Sequence, residues 1–168
     1  MDQSRRTYLA WLRDAHAMEG EGLTMMQAML PHLEHYPQLR ARIESHLTET
    51  KEQRSALAGL LARHGSDASV MKDTLGKAMA VAQSVSGMFA SDEVVKGMLA
   101  SYTFEQMEIA AYRVLITVAE QMGDRAGIEV FTLCLEQEEA MAGWLAGHSA
   151  EITRFFLSRA ELDATSAR

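Results

Sequence analysis

The sequence predicts an all-α protein that forms a single helical bundle. Helix-favouring Ala, Leu, Met, Glu, Gln and Arg dominate its 168 residues, and only two prolines, Pro31 and Pro37, occur among them. Alternating runs of β-branched residues, which would indicate strands, do not occur. The length suits one domain, which we expect to span residues 4–160, followed by a frayed tail at 161–168.

Two long helices open the predicted bundle. The first begins near Ser4, a residue type that caps helices, and runs to about Leu30, where Pro31 stops it. The second begins at Pro37, which suits a first helical turn, and runs to His64, which a glycine follows. Because the connection between them is short, these two helices should be antiparallel neighbours.

A loop at 65–69 and a weaker helical stretch at 70–88 separate this pair from the third long helix. That helix opens with polar and acidic residues at 91–93, which favour a helix N-terminus, and it closes at Gly123. We therefore interpret the weaker stretch as a short helical crossover between the second and third bundle helices.

The fourth helix can be capped by Asp124 and should reach about Leu145, because Gly147 offers a stop soon afterwards. A short C-terminal helix is expected at 149–160. A short connection, a long crossover and a second short connection together make the topology of ferritin-like bundles. The predicted fold is therefore a ferritin-like antiparallel four-helix bundle with a short additional helix at its C-terminal end.

Composition and charge exclude several classes of function. Sixteen Lys and Arg against 23 Asp and Glu give a net charge of −7, which disfavours binding to nucleic acid. A single cysteine, Cys134, allows neither an intramolecular disulfide nor a thiolate metal cluster, and its setting is typical of a small buried hydrophobic residue. Without an 18-residue apolar run or an apolar signal core, we expect a cytoplasmic protein with no membrane partner.

Each predicted long helix carries a stripe of residues, spaced three and four apart, that a bundle would bury. The stripes are apolar at their ends and polar near their centres. The polar central positions are Glu19, His46, Glu49, Glu105, Glu108 and Glu138. Because the centres of antiparallel helices meet at one height, these six side chains should converge in the core.

Several like charges cannot share a dry core, because a buried, unpaired carboxylate is destabilising or takes up a proton. Cations remove that conflict, and carboxylates with an imidazole suit iron or manganese. Facing helices of four-helix bundles are a common scaffold for pairs of metal ions. We therefore predict that the six residues hold two iron ions, with manganese as the alternative metal.

The ligand spacing departs from the common di-iron pattern, in which two helices each carry a Glu-x-x-His pair. The second helix has the reversed order, with His46 three residues before Glu49, and Met141 stands where a histidine would follow Glu138. The predicted site is thus rich in carboxylates and poor in histidine. His16, one turn before the first glutamate of the site, is either an extra ligand or a partner of a ligand.

Five segments of the chain resemble the bacterial stress-response proteins of the YciE/YciF family, which are ferritin-like. They are WLRDAHAME at 11–19, HLTET at 46–50 with Gln53, DEVVK at 92–96, FEQMEIAAY at 104–112 and EEAMA at 138–142. With their flanks, these segments cover nearly the whole chain in the expected order. The resemblance implies a rubrerythrin-like bundle, often a homodimer, with a candidate di-iron centre at the same six residues. Many relatives have His at the position of Gln106, which here lies off the buried stripe.

Two classes of function fit these observations. The first is a di-metal carboxylate protein of the oxidative or general stress response, with ferroxidase-like or peroxidase-like chemistry on O₂ or H₂O₂. The second is a dimeric helical interaction or structural protein whose metal site is vestigial. Twelve methionines, which can form adaptable binding surfaces, favour the second class, although methionines more often fill gaps in a core.

Two pairs of residues leave alternatives open. Tyr102 and Tyr112 share a stripe with Glu105, either as core aromatics or as a relay for an electron. Gly20 and Gly22 lie in the middle of the first helix, where glycine is unfavourable. They either permit close helix packing beside the site or mark a local bulge in the helix.

Overall fold

The computed structural model describes residues 3–66 and 93–166, and four long helices make up nearly all of this part. They are α1, Gln3–Met29; α2, Pro37–Arg63; α3, Glu93–Met122; and α4, Arg125–Ser166. A short 3-10 helix, Leu30–Leu33, joins α1 to α2. The predicted all-α class is confirmed, because no strand occurs within the described residues. The predicted crossover helix at 70–88 lies outside them.

The four helices form a ring in which α1 packs on α2 and α3, while α4 packs on α3 and α2. Met29 lies against Gly97 at one level and Glu19 meets Tyr112 further along, so α1 and α3 are antiparallel. The short connections make α1 antiparallel to α2, and α3 antiparallel to α4. Consequently α2 and α3 run in the same direction, which is the ferritin-like topology that the sequence predicts.

Two glycines end helices at the predicted positions. Gly65 follows α2 with φ of 68°, and Gly123 follows α3 with φ of 67°, a left-handed conformation that favours glycine. Asp124 then begins α4 as expected, since its Oδ1 accepts a hydrogen bond of 3.1 Å from the backbone N–H of Gly127.

One prediction about the C-terminal region is wrong, because α4 continues through Gly147 and no separate helix occupies 149–160. Gly147 lacks the positive φ of a helix stop. Beyond it, Ile152 is buried in the core, and the ring of Phe155 packs edge-on against Tyr36, with centroids 5.2 Å apart. This packing favours continuation of the helix to Ser166, whereas the fraying expected at 161–168 stays a prediction.

Two apolar clusters fill the bundle and leave a polar layer between them. One contains Tyr8 and Phe131, near the connection from α3 to α4, and the other contains Ile43 and Leu145. Glu19 is completely buried between the clusters. The predicted stripe pattern, apolar at the ends and polar in the middle, is therefore present in the folded chain. Among the described residues, no helix has the length and hydropathy that crossing a bilayer requires.

Candidate metal centre

The structure buries five of the six predicted site residues in this polar layer, where each is at most 2% exposed. They come from all four helices and are Glu19 on α1, His46 on α2, Glu105 and Glu108 on α3, and Glu138 on α4. The sixth, Glu49, keeps 27% of its side chain exposed. Four carboxyl groups and one imidazole thus share one water-excluded region.

His46, Glu105 and Glu138 form the tightest group. One ligand atom from each residue lies within 4.8 Å of the others. Nε2 of His46 is 3.1 Å from Oε2 of Glu105 and 3.0 Å from Oε2 of Glu138. An imidazole nitrogen and two carboxylate oxygens directed at one point are a donor set that suits iron, manganese or zinc.

Glu49 lies on the opposite side of the His46 ring. Its Oε2 is 2.7 Å from Nδ1 of His46 and 3.4 Å from the guanidinium of Arg42. A proton shared between Nδ1 and this carboxylate leaves Nε2 of the imidazole for a metal ion. Glu49, predicted as a ligand, is therefore placed where it orients a ligand, outside the group of three.

Glu19 and Glu108 complete the buried carboxylates. Oε1 of Glu19 accepts a hydrogen bond from the hydroxyl of Tyr112. Burial, reinforced by the charge of Glu138, raises the pKa of Glu19 to about 8. Burial also raises the pKa of Glu108 well above its usual range, with the neighbouring carboxylates of Glu19, Glu138 and Glu105 adding to the effect. Without a cation, both groups therefore favour the protonated form.

Glu138 and His46 show the same conflict of charge. Burial raises the pKa of Glu138 to about 7, although His46 acts in the opposite direction. Burial lowers the pKa of His46, but its contacts with Glu105 and Glu138 outweigh this effect and raise the pKa to about 11. Protons thus balance the carboxylates in the metal-free state, and a metal ion would have to displace the proton from Nε2 of His46.

Unpartnered oxygen atoms test whether a metal fits this region. Oε2 of Glu19, Oε1 of Glu108 and Oε1 of Gln53 are buried and have no hydrogen-bond partner, while Oε2 of Glu138 competes with Oε2 of Glu105 for Nε2 of His46. The one proton on Nε2 of His46 cannot satisfy both carboxylates that approach it. Native proteins leave few buried acceptors without a partner. A concentration of orphaned acceptors in one layer is what bound cations would resolve, so the residues fit a metal site.

Comparison with known proteins identifies the family. Residues 3–158 match the family described as "Domain of unknown function (DUF892)". The chain belongs to this DUF892 family. The resemblance to YciE/YciF proteins that the sequence segments indicate is confirmed.

Three solved structures share the fold of this DUF892 protein. The protein XCC3681 of Xanthomonas campestris pv. campestris is 38% identical, with a TM-score of 0.81 over 95% of this chain and 99% of that chain. YcfI of Rhodopseudomonas palustris is 22% identical, with a TM-score of 0.69 over 87% and 94%. The E. coli stress protein YciF is 21% identical, with a TM-score of 0.68 over 92% and 99%. These likenesses support the all-α bundle.

Two residues near the centre of this DUF892 protein were not predicted as site residues. Gln53 is 3% exposed, and its Nε2 donates a hydrogen bond of 2.6 Å to Oε1 of Glu138. Its sequence signal is its position seven residues after His46, two turns along the same stripe. Cys134 is buried as expected, but close to Glu19. Burial, reinforced by that carboxylate, raises the pKa of the thiol to about 12, so it stays protonated.

The two mid-helix glycines do not mark a bulge, because α1 continues through both, and one of them permits close packing. A Cβ atom on Gly22 would lie 3.2 Å from a ring carbon of Phe104 and 3.6 Å from Oε1 of Glu108. Gly22 therefore makes room for α3 side chains at the centre. A Cβ atom on Gly20 would be in ordinary contact with Arg54, 3.7 Å away.

The structure places differently the three residues whose roles the sequence left undecided, His16, Tyr102 and Tyr112. His16 is outside the group of three, and its Nδ1 has no hydrogen-bond partner. Burial, together with the charge of Arg54, lowers the pKa of His16, which favours a neutral ring. Tyr112 is completely buried beside Glu19, whereas Tyr102 is 37% exposed. Ser101 occupies the buried position next to Tyr102, so the stripe on α3 is displaced by one residue there.

Proposed function

We propose that this DUF892 protein holds two transition-metal ions, iron with manganese as the alternative, and reacts with O₂ or peroxide in a stress response. The supporting observation is the layer of four buried carboxylates, in which Glu19 and Glu108 each have an oxygen atom without a hydrogen-bond partner. Four carboxylates carry −4 and two divalent cations carry +4, so the loaded layer is neutral when His46 is neutral. Without cations, burial and mutual repulsion favour protonation of these carboxylates instead.

The ligand assignment follows the geometry of the described residues. His46, Glu105 and Glu138 would hold one ion. Glu19 and Glu108, each with a buried oxygen that has no hydrogen-bond partner, would supply oxygens for the second. When bound, redox-active ions of this kind supply electrons to O₂ or peroxide. The side chains have separate tasks: they bind the ions, release the proton of the imidazole and keep bulk water out of the layer.

Neighbouring residues prepare these ligands. The hydroxyl of Tyr112 donates a hydrogen bond to Oε1 of Glu19, which leaves Oε2 of the same carboxylate available to bind a metal ion. Glu49 holds the proton on Nδ1 of His46, so the proton that a metal ion would displace is the one on Nε2. Metal uptake should therefore release protons and weaken as the pH falls.

The biological setting is proposed from the name of one relative. The name of the E. coli relative, a stress protein, favours a role in stress. The expected homodimer, the cytoplasmic location and the lack of nucleic-acid or membrane partners stay predictions.

Metal content tests the proposal. Protein purified without a chelating tag would be loaded anaerobically with Fe(II), desalted and analysed by elemental mass spectrometry. We expect about two ions per chain, as in other di-metal bundles, and a large loss in Glu105→Gln and Glu138→Gln. Glu136→Gln is the matched control, because this exposed carboxylate lies on α4 two residues before Glu138. Binding that ignores the two buried substitutions would refute the site.

A metal-free interaction protein is the second candidate. Large apolar side chains on α4 favour it, since Leu133, Leu157 and Leu162 are each more than half exposed. Absence of metal from the wild-type protein, after growth in iron-supplemented and in manganese-supplemented medium, would make this candidate the better one.

A further inference from the structure

The amide of Gln53 is fixed by two acceptor oxygens. Its Nε2 lies 2.6 Å from Oε1 of Glu138 and 2.8 Å from Oε1 of Gln137. Only the NH₂ end of an amide can donate to a carboxylate, so the contact with Glu138 sets the orientation of the amide. The side chain is 3% exposed, which leaves it little freedom to turn away.

This hydrogen bond distinguishes the two oxygens of Glu138. Oε1 is engaged by Gln53, while Oε2 lies 3.0 Å from Nε2 of His46, in the group with Glu105. Gln53 and His46 are seven residues apart on α2, so one helix contacts both ends of the same carboxylate. Its rotation about the last side-chain bond is therefore restricted from both ends.

We propose that Gln53 is a positioning residue that makes Glu138 a ligand through Oε2 alone. By keeping Oε1 in a hydrogen bond, Gln53 would hold that oxygen away from a metal ion and leave Oε2 to bind. The inference rests on the proposed metal site. The amide is suited to this task because it donates, whereas a carboxylate at position 53 would repel Glu138.

The test compares Gln53→Met with Gln137→Met in the full-length protein. Met has the length of Gln but no hydrogen-bond donor, so Gln53→Met removes the hydrogen bond to Oε1 of Glu138. Gln137→Met leaves that hydrogen bond in place. Co(II) would be titrated and followed by its visible absorption. Loss of a hydrogen bond to a ligand typically costs 10–100-fold in affinity, so we expect about that for Gln53→Met and under threefold for Gln137→Met.

Infrared spectroscopy supplies the readout of binding mode. With ¹³C-labelled glutamate, the wild-type difference spectrum on Co(II) binding should contain the wide carboxylate splitting of one-oxygen coordination at Glu138. The assignment comes from Glu138→Asp, which keeps a carboxylate at this position but leaves it unlabelled, so the ¹³C-shifted band of residue 138 alone should disappear. In Gln53→Met this band should move towards the narrow splitting of chelating or bridging carboxylates. Unchanged affinity and an unchanged band in Gln53→Met would overturn the inference.

An unfolding experiment without metal distinguishes failure of this inference from failure of the proposed function. In EDTA, the urea midpoints of Gln53→Met, Glu138→Gln and the double variant should be non-additive, because the two side chains touch. If the wild-type protein binds no metal but this coupling is present, the proposed metal site is refuted, and the hydrogen bond between Gln53 and Glu138 has a structural role only. Additive midpoint shifts would refute the interaction between Gln53 and Glu138, whether or not metal binds.

Discussion

Replacing Gly127 with alanine tests the packing at the end of the bundle. Gly127 is the third residue of α4, and a Cβ atom there would lie 2.5 Å from the hydroxyl oxygen of Tyr8 and 2.8 Å from Oδ2 of Asp124. Tyr8 is completely buried, and its hydroxyl donates to that same Oδ2 at 2.8 Å. The new methyl group would therefore separate the donor from its acceptor.

The expected cost combines three effects. A buried hydroxyl that loses its acceptor costs about 1–3 kcal/mol. Forcing an extra methyl group into packed structure costs about 1–3 kcal/mol. Against these, alanine favours the helix over glycine by up to about 1 kcal/mol. Gly127→Ala should thus lower the free energy of unfolding by about 3 kcal/mol, which in a chain of this size lowers the melting temperature by roughly 6–12 °C.

Urea unfolding followed by circular dichroism in EDTA would measure this cost. Gly143→Ala is the matched control, because Gly143 is an exposed residue of the same helix with no atom within 4 Å of a new Cβ. It should raise the stability by up to about 1 kcal/mol. In a Tyr8→Phe background, which lacks the closest atom, Gly127→Ala should cost clearly less. Equal, stabilising effects of the two alanines in the wild-type chain would refute the argument.

Three further predictions concern other parts of the molecule. Partial burial raises the pKa of Asp124, but hydrogen bonds from His64 and Tyr8 outweigh it and lower the pKa from its usual value of 3.8. Its stabilising effect is therefore present above about pH 4 and is lost as the pH falls through the lowered pKa. Acid titration of unfolding should show a smaller loss of stability for Asp124→Asn than for the wild type as the pH falls below about 4. Glu49→Gln should keep the metal stoichiometry but weaken Co(II) binding about 10-fold or more, because His46 loses its orienting carboxylate; unchanged affinity would contradict that role. Phe131→Ala should lower the free energy of unfolding by about 3–5 kcal/mol in urea titrations, because the ring is completely buried in the first cluster; a loss below about 1 kcal/mol would contradict its place there.

Helix boundaries were predictable where local chemistry decides them. Gly65 and Gly123 adopt the left-handed conformation that a helix stop requires, and Asp124 supplies the cap. Gly147 shows the limit of this reasoning, because glycine permits a stop without enforcing one. There the apolar contacts of Ile152 and Phe155, remote in sequence from their partners, favour a continuous α4.

The sequence by itself determined the helical class, the order of the long helices and most of the residues that face inward, because burial repeats with the helical period. It thereby predicted that polar side chains meet at mid-height. Only the tertiary structure decided which atoms meet: Glu49 turns away to hold His46, while Gln53 turns in to hold Glu138. The reason is that an α-helix has 3.6 residues per turn, whereas positions spaced alternately three and four apart repeat every 3.5 residues on average. The stripe therefore rotates gradually around the helix. Small rotations of each helix, set by packing against its neighbours, then select which oxygens face the centre.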